Sequence, residues 1–202
     1  MKRILATYPI ISTLALICLL LGLLTSFNGD AMYDLLAFHS KPVYGWQYVS
    51  GTLMHGSKGA PIWFLWVHLL LNGLMILPFG GLLERKRGSR QVLIVFVTAT
   101  ALSSSVFHLL TQGQDIQATG ISAVGYAFVT GGVLLLPNMW KEYSLSVKLF
   151  YLFLVFLSGL MLLPAITGWI STWLHLSGIA SYLLVFFGSK SLKKAPTNEA
   201  GS

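Results

Sequence analysis

Acidic residues are scarce in this chain, and their positions exclude more than their number does. All six, Asp30, Asp34, Glu84, Asp115, Glu142 and Glu199, fall outside the long apolar runs. A pair of buried carboxylates, a zinc site of the H-E-x-x-H kind and most intramembrane proton relays each need an acid at depth. None of those chemistries is available here. Cysteine is scarcer still. The single Cys18 lies inside the first apolar run, which leaves no disulfide framework and no cysteine metal cluster. Charged residues of all kinds make up 9% of the chain, against about a quarter in soluble domains. No segment has the composition of a soluble domain, and water is not the main solvent of this protein.

What fills the space is apolar: 55% of the 202 residues are hydrophobic. Runs of about 20 residues, enough for a helix to cross about 30 Å of hydrocarbon, recur along nearly the whole length. Six spans are predicted, at residues 8–27, 61–83, 91–110, 119–136, 147–166 and 169–188. The fold class expected is an all-α membrane protein, a six-helix transmembrane bundle forming one domain over residues 1–189 with a polar tail at 190–202. The first run is expected to be an anchor rather than a cleaved signal, because Asn28-Gly29-Asp30 follows it without an A-x-A-like site.

The net charge of +7 invites a nucleic-acid reading until the cations are sorted by side. Lys2, Arg3, Arg85, Lys86, Arg87, Arg90, Lys141, Lys148, Lys190, Lys193 and Lys194 fall on the side of the N-terminus, and only Lys41 and Lys58 on the other. That is the positive-inside pattern, which puts both termini in the cytoplasm and requires no nucleic-acid partner. The outer connection at 28–60 is long and rich in Tyr, Trp, Phe and Met, so it is expected to lie against the outer leaflet or to pack on the bundle mouth.

Polar side chains inside a span are either glue between helices or part of a site. The informative ones are His68, Asn72, Ser122, Tyr126 and His175. His68 and Asn72 are one helical turn apart and share a face; alone they read equally well as hydrogen bonds to neighbouring helices. Gly120-Ile121-Ser122-Ala123 opens the fourth span, where backbone N–H groups lack intrahelical partners and can bind an oxyanion. Ser122 there reads either as a helix cap or as a nucleophile. His175 lies in the outer part of the sixth span, with Gly178 on the same face. The second, fourth and sixth spans run in the same direction, and His68, Ser122 and His175 share a depth on the order of 5 to 10 Å below the outer boundary. A serine at such a depth needs an adjacent base, which His175 can supply. His108, near the outer end of the third span with no motif around it, and Ser103-Ser104-Ser105, which reads as helix packing, are not assigned to the site.

The order His68-x-x-x-Asn72, Gly120-x-Ser122 and His175-x-x-Gly178 on alternate helices resembles the rhomboid intramembrane serine proteases, over about Trp46 to Tyr182. Leu53-Met54-His55 is similar to the family's loop signature, and Gly80-Gly81-Leu82-Leu83-Glu84-Arg85 to its helix end. The resemblance implies Ser122 as nucleophile, His175 as general base, and His68, Asn72 and the Gly120-Ile121 turn with the Ser122 N–H as the oxyanion and substrate side. It implies Tyr126 packed beside the histidine and Gly178 at a close helix crossing, with no cofactor and no metal. The partners implied are single-pass membrane proteins, cut in or near their transmembrane segment, and the lipid bilayer, here expected to be a bacterial inner membrane. The chain departs from the family at Ala123 and Tyr182, where glycine is usual, at Leu174 for alanine and at Gln47 for arginine. At Ala123 the added methyl is expected to crowd the fourth and sixth helices, and at Leu174 and Tyr182 the packing is expected to be looser or differently compensated. Two other readings remain: a silent relative that binds transmembrane helices, and a small transporter, which the lack of intramembrane acids and repeats disfavours.

Overall fold

The computed structural model describes residues 7–41 and 44–194. Helix α1 spans Pro9–Leu36 and bends at Gly29, whose φ of +33° leaves the helical region. A two-residue strand β1, Phe38–His39, and helix α2, Gln47–Leu53, follow. Helix α3, Ile62–Met75, continues through a π-helical turn, Ile76–Gly80, into α4, Gly81–Arg87. Then come α5, Ser89–Leu110; β2, Gln117–Ala118; α6, Ser122–Met139; α7, Leu145–Leu160; α8, Pro164–Thr167; and α9, Trp169–Lys194.

Among the described residues, five helical segments are long and apolar enough to cross a membrane: α1, α3 to α4, α5, α6 and α9. The fifth run expected from the sequence is different. It resolves into α7, 16 residues long, or about 24 Å at 1.5 Å per residue. The helix stops because the residue before a proline is pushed out of the helical region; Leu163, preceding Pro164, has ψ of 124°. Two further boundaries move. The first helical stretch breaks at Gly29, next to the end expected at residue 27, but the connection that follows is itself helical as far as Leu36, and α9 extends to Lys194, into the expected tail. The rest of the tail and Lys2 and Arg3 lie outside the described residues.

Helix α6 is the axis of the bundle. Its span is 67% buried, against 28% for α1 and 44% for α5. A helix apolar on all sides belongs in the middle. Glycines set the distances of its neighbours. A Cβ at Gly131 would overlap the Tyr182 ring, and one at Gly178 would overlap the Ala123 carbonyl oxygen. Tyr182 is 2% exposed. Gly131 thus opens the space that Tyr182 fills, so of the two alternatives it is compensation rather than looser packing that α6 and α9 show: they meet through the Tyr182 ring at Gly131 and through backbone at Gly178 and Ala123.

Glu84 ties the far end of the bundle together. It is buried, and its two carboxylate oxygens accept the Ile10 and Ile11 amides at 2.9 and 3.0 Å. The Ser89 hydroxyl donates to it at 2.7 Å. These amides belong to the first turn of α1, where helical N–H groups have no internal acceptor and the dipole favours a negative charge. Glu84→Ala is therefore expected to lower stability by about 3 kcal/mol, read as a fall in melting temperature in detergent. Glu84→Gln should fall between, and an unchanged Glu84→Ala melting curve would refute the clasp.

Candidate active site

The sequence leading into α6 is held from three directions. Strands β1 and β2 pair antiparallel, with Phe38 opposite Ala118 and His39 opposite Gln117. The Thr119 hydroxyl donates to the Gly56 carbonyl, and the Gly120 amide donates to the Gly51 carbonyl at 3.1 Å. So pinned, Gly120 takes φ of +122°, which L side chains rarely adopt. A methyl there would also meet His68 Nε2 at 2.9 Å, with Asn72 Nδ2 at 3.9 Å. The turn at Gly120 therefore faces the polar edge of α3 at near-contact distance.

Ser122 is the first residue of α6. The preceding Ile121 is buried in the core and supplies no side-chain cap. The Ser122 hydroxyl does not cap the helix either: Oγ lies 3.2 Å from Nε2 of His175 on α9. The other ring nitrogen, Nδ1, lies 3.1 Å from the Met161 carbonyl oxygen. A carbonyl can only accept, so Nδ1 carries the proton and Nε2 presents its lone pair to the Ser122 hydroxyl. The backbone of the turn after α7 thus occupies the position that a carboxylate holds in a three-residue triad. Met161 was invisible to sequence reasoning because the group involved is a carbonyl common to all residues.

Tyr126, one turn beyond Ser122, stacks on the His175 ring with centroids 4.3 Å apart and planes 26° apart. Its hydroxyl donates to the Ser158 carbonyl at 2.6 Å, which fixes the ring from α7. Three groups therefore limit the imidazole: Met161 at one edge, Ser122 at the other, and Tyr126 against its face. Gly178, three residues on, seats α9 against Ala123.

Across the site, the Gly56 amide donates to His68 Nδ1 at 3.4 Å. The His68 proton is thereby assigned to Nε2, the atom facing Gly120. Asn72 is 2% exposed and donates one amide hydrogen to the His68 carbonyl at 3.1 Å; its second hydrogen is free to meet an acceptor. His55, which the sequence marked only as part of a loop motif, sits edge-on to His68 with centroids 5.3 Å apart. Burial first, and the nearby His68 ring second, pull the His55 pKa down to about 3, so no second cation develops there near neutral pH.

These groups line one cavity of about 550 Å³, a size typical of small-molecule and peptide sites. His68, Asn72, Gly120, Ser122, Met161 and His175 converge on it, while Val67 and Leu71 of α3 and Ile170 and Leu174 of α9 form apolar walls. Of the site residues expected from the sequence, Ser122, His175, His68, Asn72, Gly120 and Tyr126 line this cavity; Ile121, whose side chain is buried in the core, and Gly178, at the crossing with Ala123, do not. Gln47 stands apart: buried in α2, in the connection between α1 and α3, its amide donates to the Asp34 carbonyl at 3.0 Å. Outside the cavity, Lys58 pairs with both carboxylate oxygens of Asp34 at 2.6 and 2.7 Å. No group of three or more His, Cys, Asp or Glu residues with metal-binding geometry occurs among the described residues.

The chain is 29% identical over 107 residues to the Rhomboid protease GlpG of Haemophilus influenzae, an alignment covering 51% of this chain and 52% of that protein. The chain thus spans about half the length of the relative it matches. Residues 42–191, well over half of the chain and including every residue of the cavity but Phe38, match the Rhomboid domain. This multi-pass membrane protein belongs to the rhomboid family.

Proposed function

We propose that this chain is an intramembrane serine endopeptidase that hydrolyses peptide bonds in or near the transmembrane segment of single-pass membrane proteins. Ser122 is the nucleophile and His175 the general base. The observation that carries this reading is the 3.2 Å approach of Ser122 Oγ to the lone pair of His175 Nε2.

In the first half-reaction Ser122 Oγ attacks the scissile carbonyl carbon as its proton passes to His175 Nε2. Tyr126 and the Met161 carbonyl hold the imidazolium that forms. The carbonyl oxygen becomes an oxyanion beside His68 Nε2–H, the second Asn72 N–H and the Ser122 backbone N–H. Collapse of the tetrahedral species breaks the C–N bond, and His175 gives its proton to the leaving amine. Water, deprotonated by His175, then attacks the acyl-enzyme by the same route in reverse. A helical peptide bond is hydrogen-bonded and sterically shielded, so the substrate must unwind, which favours Gly, Ala or Ser near the outer boundary.

Ala123 and Tyr182 were the features favouring a silent, helix-binding relative. The fit of Gly178 on Ala123 and of Tyr182 over Gly131 supports the active reading. We further propose six membrane passes in a single domain over residues 1–189, with α7 as the short fifth pass, both termini cytoplasmic and the bacterial inner membrane as the location.

Two experiments bear on this. Asn72→Ala is expected to lower turnover by about 10²-fold with the fold retained, because one oxyanion donor is lost; undiminished cleavage would remove Asn72 from the mechanism. Single cysteines at Ser57 and Ser189, in a background lacking Cys18, should react with impermeant thiol reagents from opposite sides. Labelling from one side only would contradict the six-pass topology.

A further inference from the structure

A second cavity, of about 420 Å³, lies at the end of the bundle away from Ser122. Ser122 begins α6, whereas Tyr143 of this cavity follows its other end. Arg85, Tyr8, Tyr143 and Tyr151 line it together with Leu77 and Pro78 of the π-helical turn. Tyr143 and Tyr151 stack with planes 9° apart and centroids 5.8 Å apart. The Tyr151 hydroxyl donates to the Pro78 carbonyl in a long bond of 3.4 Å, and the Tyr143 hydroxyl donates to the Met139 sulfur at 3.6 Å, weak bonds that a better acceptor can replace.

The charge of Arg85 has no counterion here. Its neighbour Glu84 is occupied by the Ile10 and Ile11 amides and Ser89, and among the described residues no ion pair engages Arg85. Lys86, Arg87, Arg90, Lys141 and Lys148 surround this end of the bundle in sequence, against Glu84 and Glu142 alone. A cavity with an uncompensated guanidinium and several hydroxyls fits an anion with many acceptor oxygens. Its rim is apolar: Leu77 is 50% exposed and Val147 36% exposed, a surface on which an acyl chain can lie.

We infer that this cavity binds a phosphate-bearing anion, namely the headgroup of an anionic phospholipid, with Arg85 as the anchoring charge and the tyrosine hydroxyls as further donors. The apolar rim selects a lipid over free phosphate, and the site is independent of the proposed proteolysis.

The test is native mass spectrometry of the full chain in detergent, titrated with short-chain phosphatidylglycerol, phosphatidylcholine or inorganic phosphate. One phosphatidylglycerol should bind saturably, about tenfold tighter than phosphatidylcholine. Arg85→Gln should weaken it about tenfold, and Lys86→Gln, whose charge is equally exposed but outside the cavity, less than about twofold. Tyr143→Phe keeps the stacked ring and should weaken binding a few-fold by loss of a donor. Displacement of the lipid by equimolar inorganic phosphate would overturn the lipid assignment in favour of a free anion. Equal binding of the two lipids, or equal losses in the Arg85 and Lys86 variants, would overturn the site.

Discussion

Ser122→Ala and His175→Ala should each lower cleavage of a transmembrane substrate by about 10⁴-fold or more, and the double substitution should be no worse than either alone. Residues that act as one unit lose their whole effect with the first member removed. In this site the unit is physical: one proton passes between Ser122 Oγ and His175 Nε2 across 3.2 Å, and either substitution removes that path. Stability distinguishes the two variants. Ser122→Ala removes only a half-exposed hydroxyl and should leave the melting curve unchanged. His175→Ala also removes the stack on Tyr126 and the bond to the Met161 carbonyl, and should lower stability by about 1 to 2 kcal/mol. Cleavage assays and melting curves in the same detergent separate loss of chemistry from loss of fold. Losses that multiply in the double variant would mean that Ser122 and His175 act independently, contrary to the dyad.

The second large effect is expected from the smallest possible change at a helix crossing. Gly178→Ala adds one methyl, which would overlap the Ala123 carbonyl oxygen. That oxygen belongs to the backbone of α6 and cannot swing aside as the tip of a side chain can, so α6 and α9 must separate. Overpacking of this kind destabilises by about 1 to 3 kcal/mol. The functional loss should exceed it. Ser122 immediately precedes Ala123 and His175 lies less than one turn from Gly178, so any separation lengthens the Ser122 to His175 contact directly. Turnover measured well below the melting temperature should fall by about 10²-fold, since misplacement of reacting groups by an ångström has effects of that size. Gly159→Ala is the control. Gly159 lies in α7 with nothing within 4 Å of a Cβ placed there, and alanine favours helix over glycine, so activity and stability should be kept. Normal turnover in Gly178→Ala would show that the crossing does not set the site's geometry.

Much of this arrangement was legible in the sequence because the membrane restricts what polar residues can do. Few polar side chains occur in the spans, so His68, Asn72, Ser122 and His175 stood out by their presence, and their common depth followed from helical rise alone. What was not legible depends on contacts between segments far apart in the chain. Tyr182 in place of glycine reads as a packing defect until Gly131, on another helix, is seen beneath its ring. The Met161 carbonyl orients His175 through a backbone atom that no side-chain pattern encodes. His55 and Gly56 reach His68 only because the loop before α3 folds back over it. Element lengths shifted for local reasons: Pro164 truncates the fifth run, and Gly29 breaks the first helix near its expected end, after which the connection turns helical again as far as Leu36.

The most direct test of the account is covalent. A fluorophosphonate reacts with a serine only when a base activates its hydroxyl and oxyanion donors accept the developing charge. Purified protein treated with such a probe should gain one adduct, mapped by peptide mass spectrometry to Ser122, and Ser122→Ala and His175→Ala should gain none. Equal labelling of all three proteins, or an adduct mapped to another residue, would contradict the assignment of Ser122 and His175 as the catalytic pair.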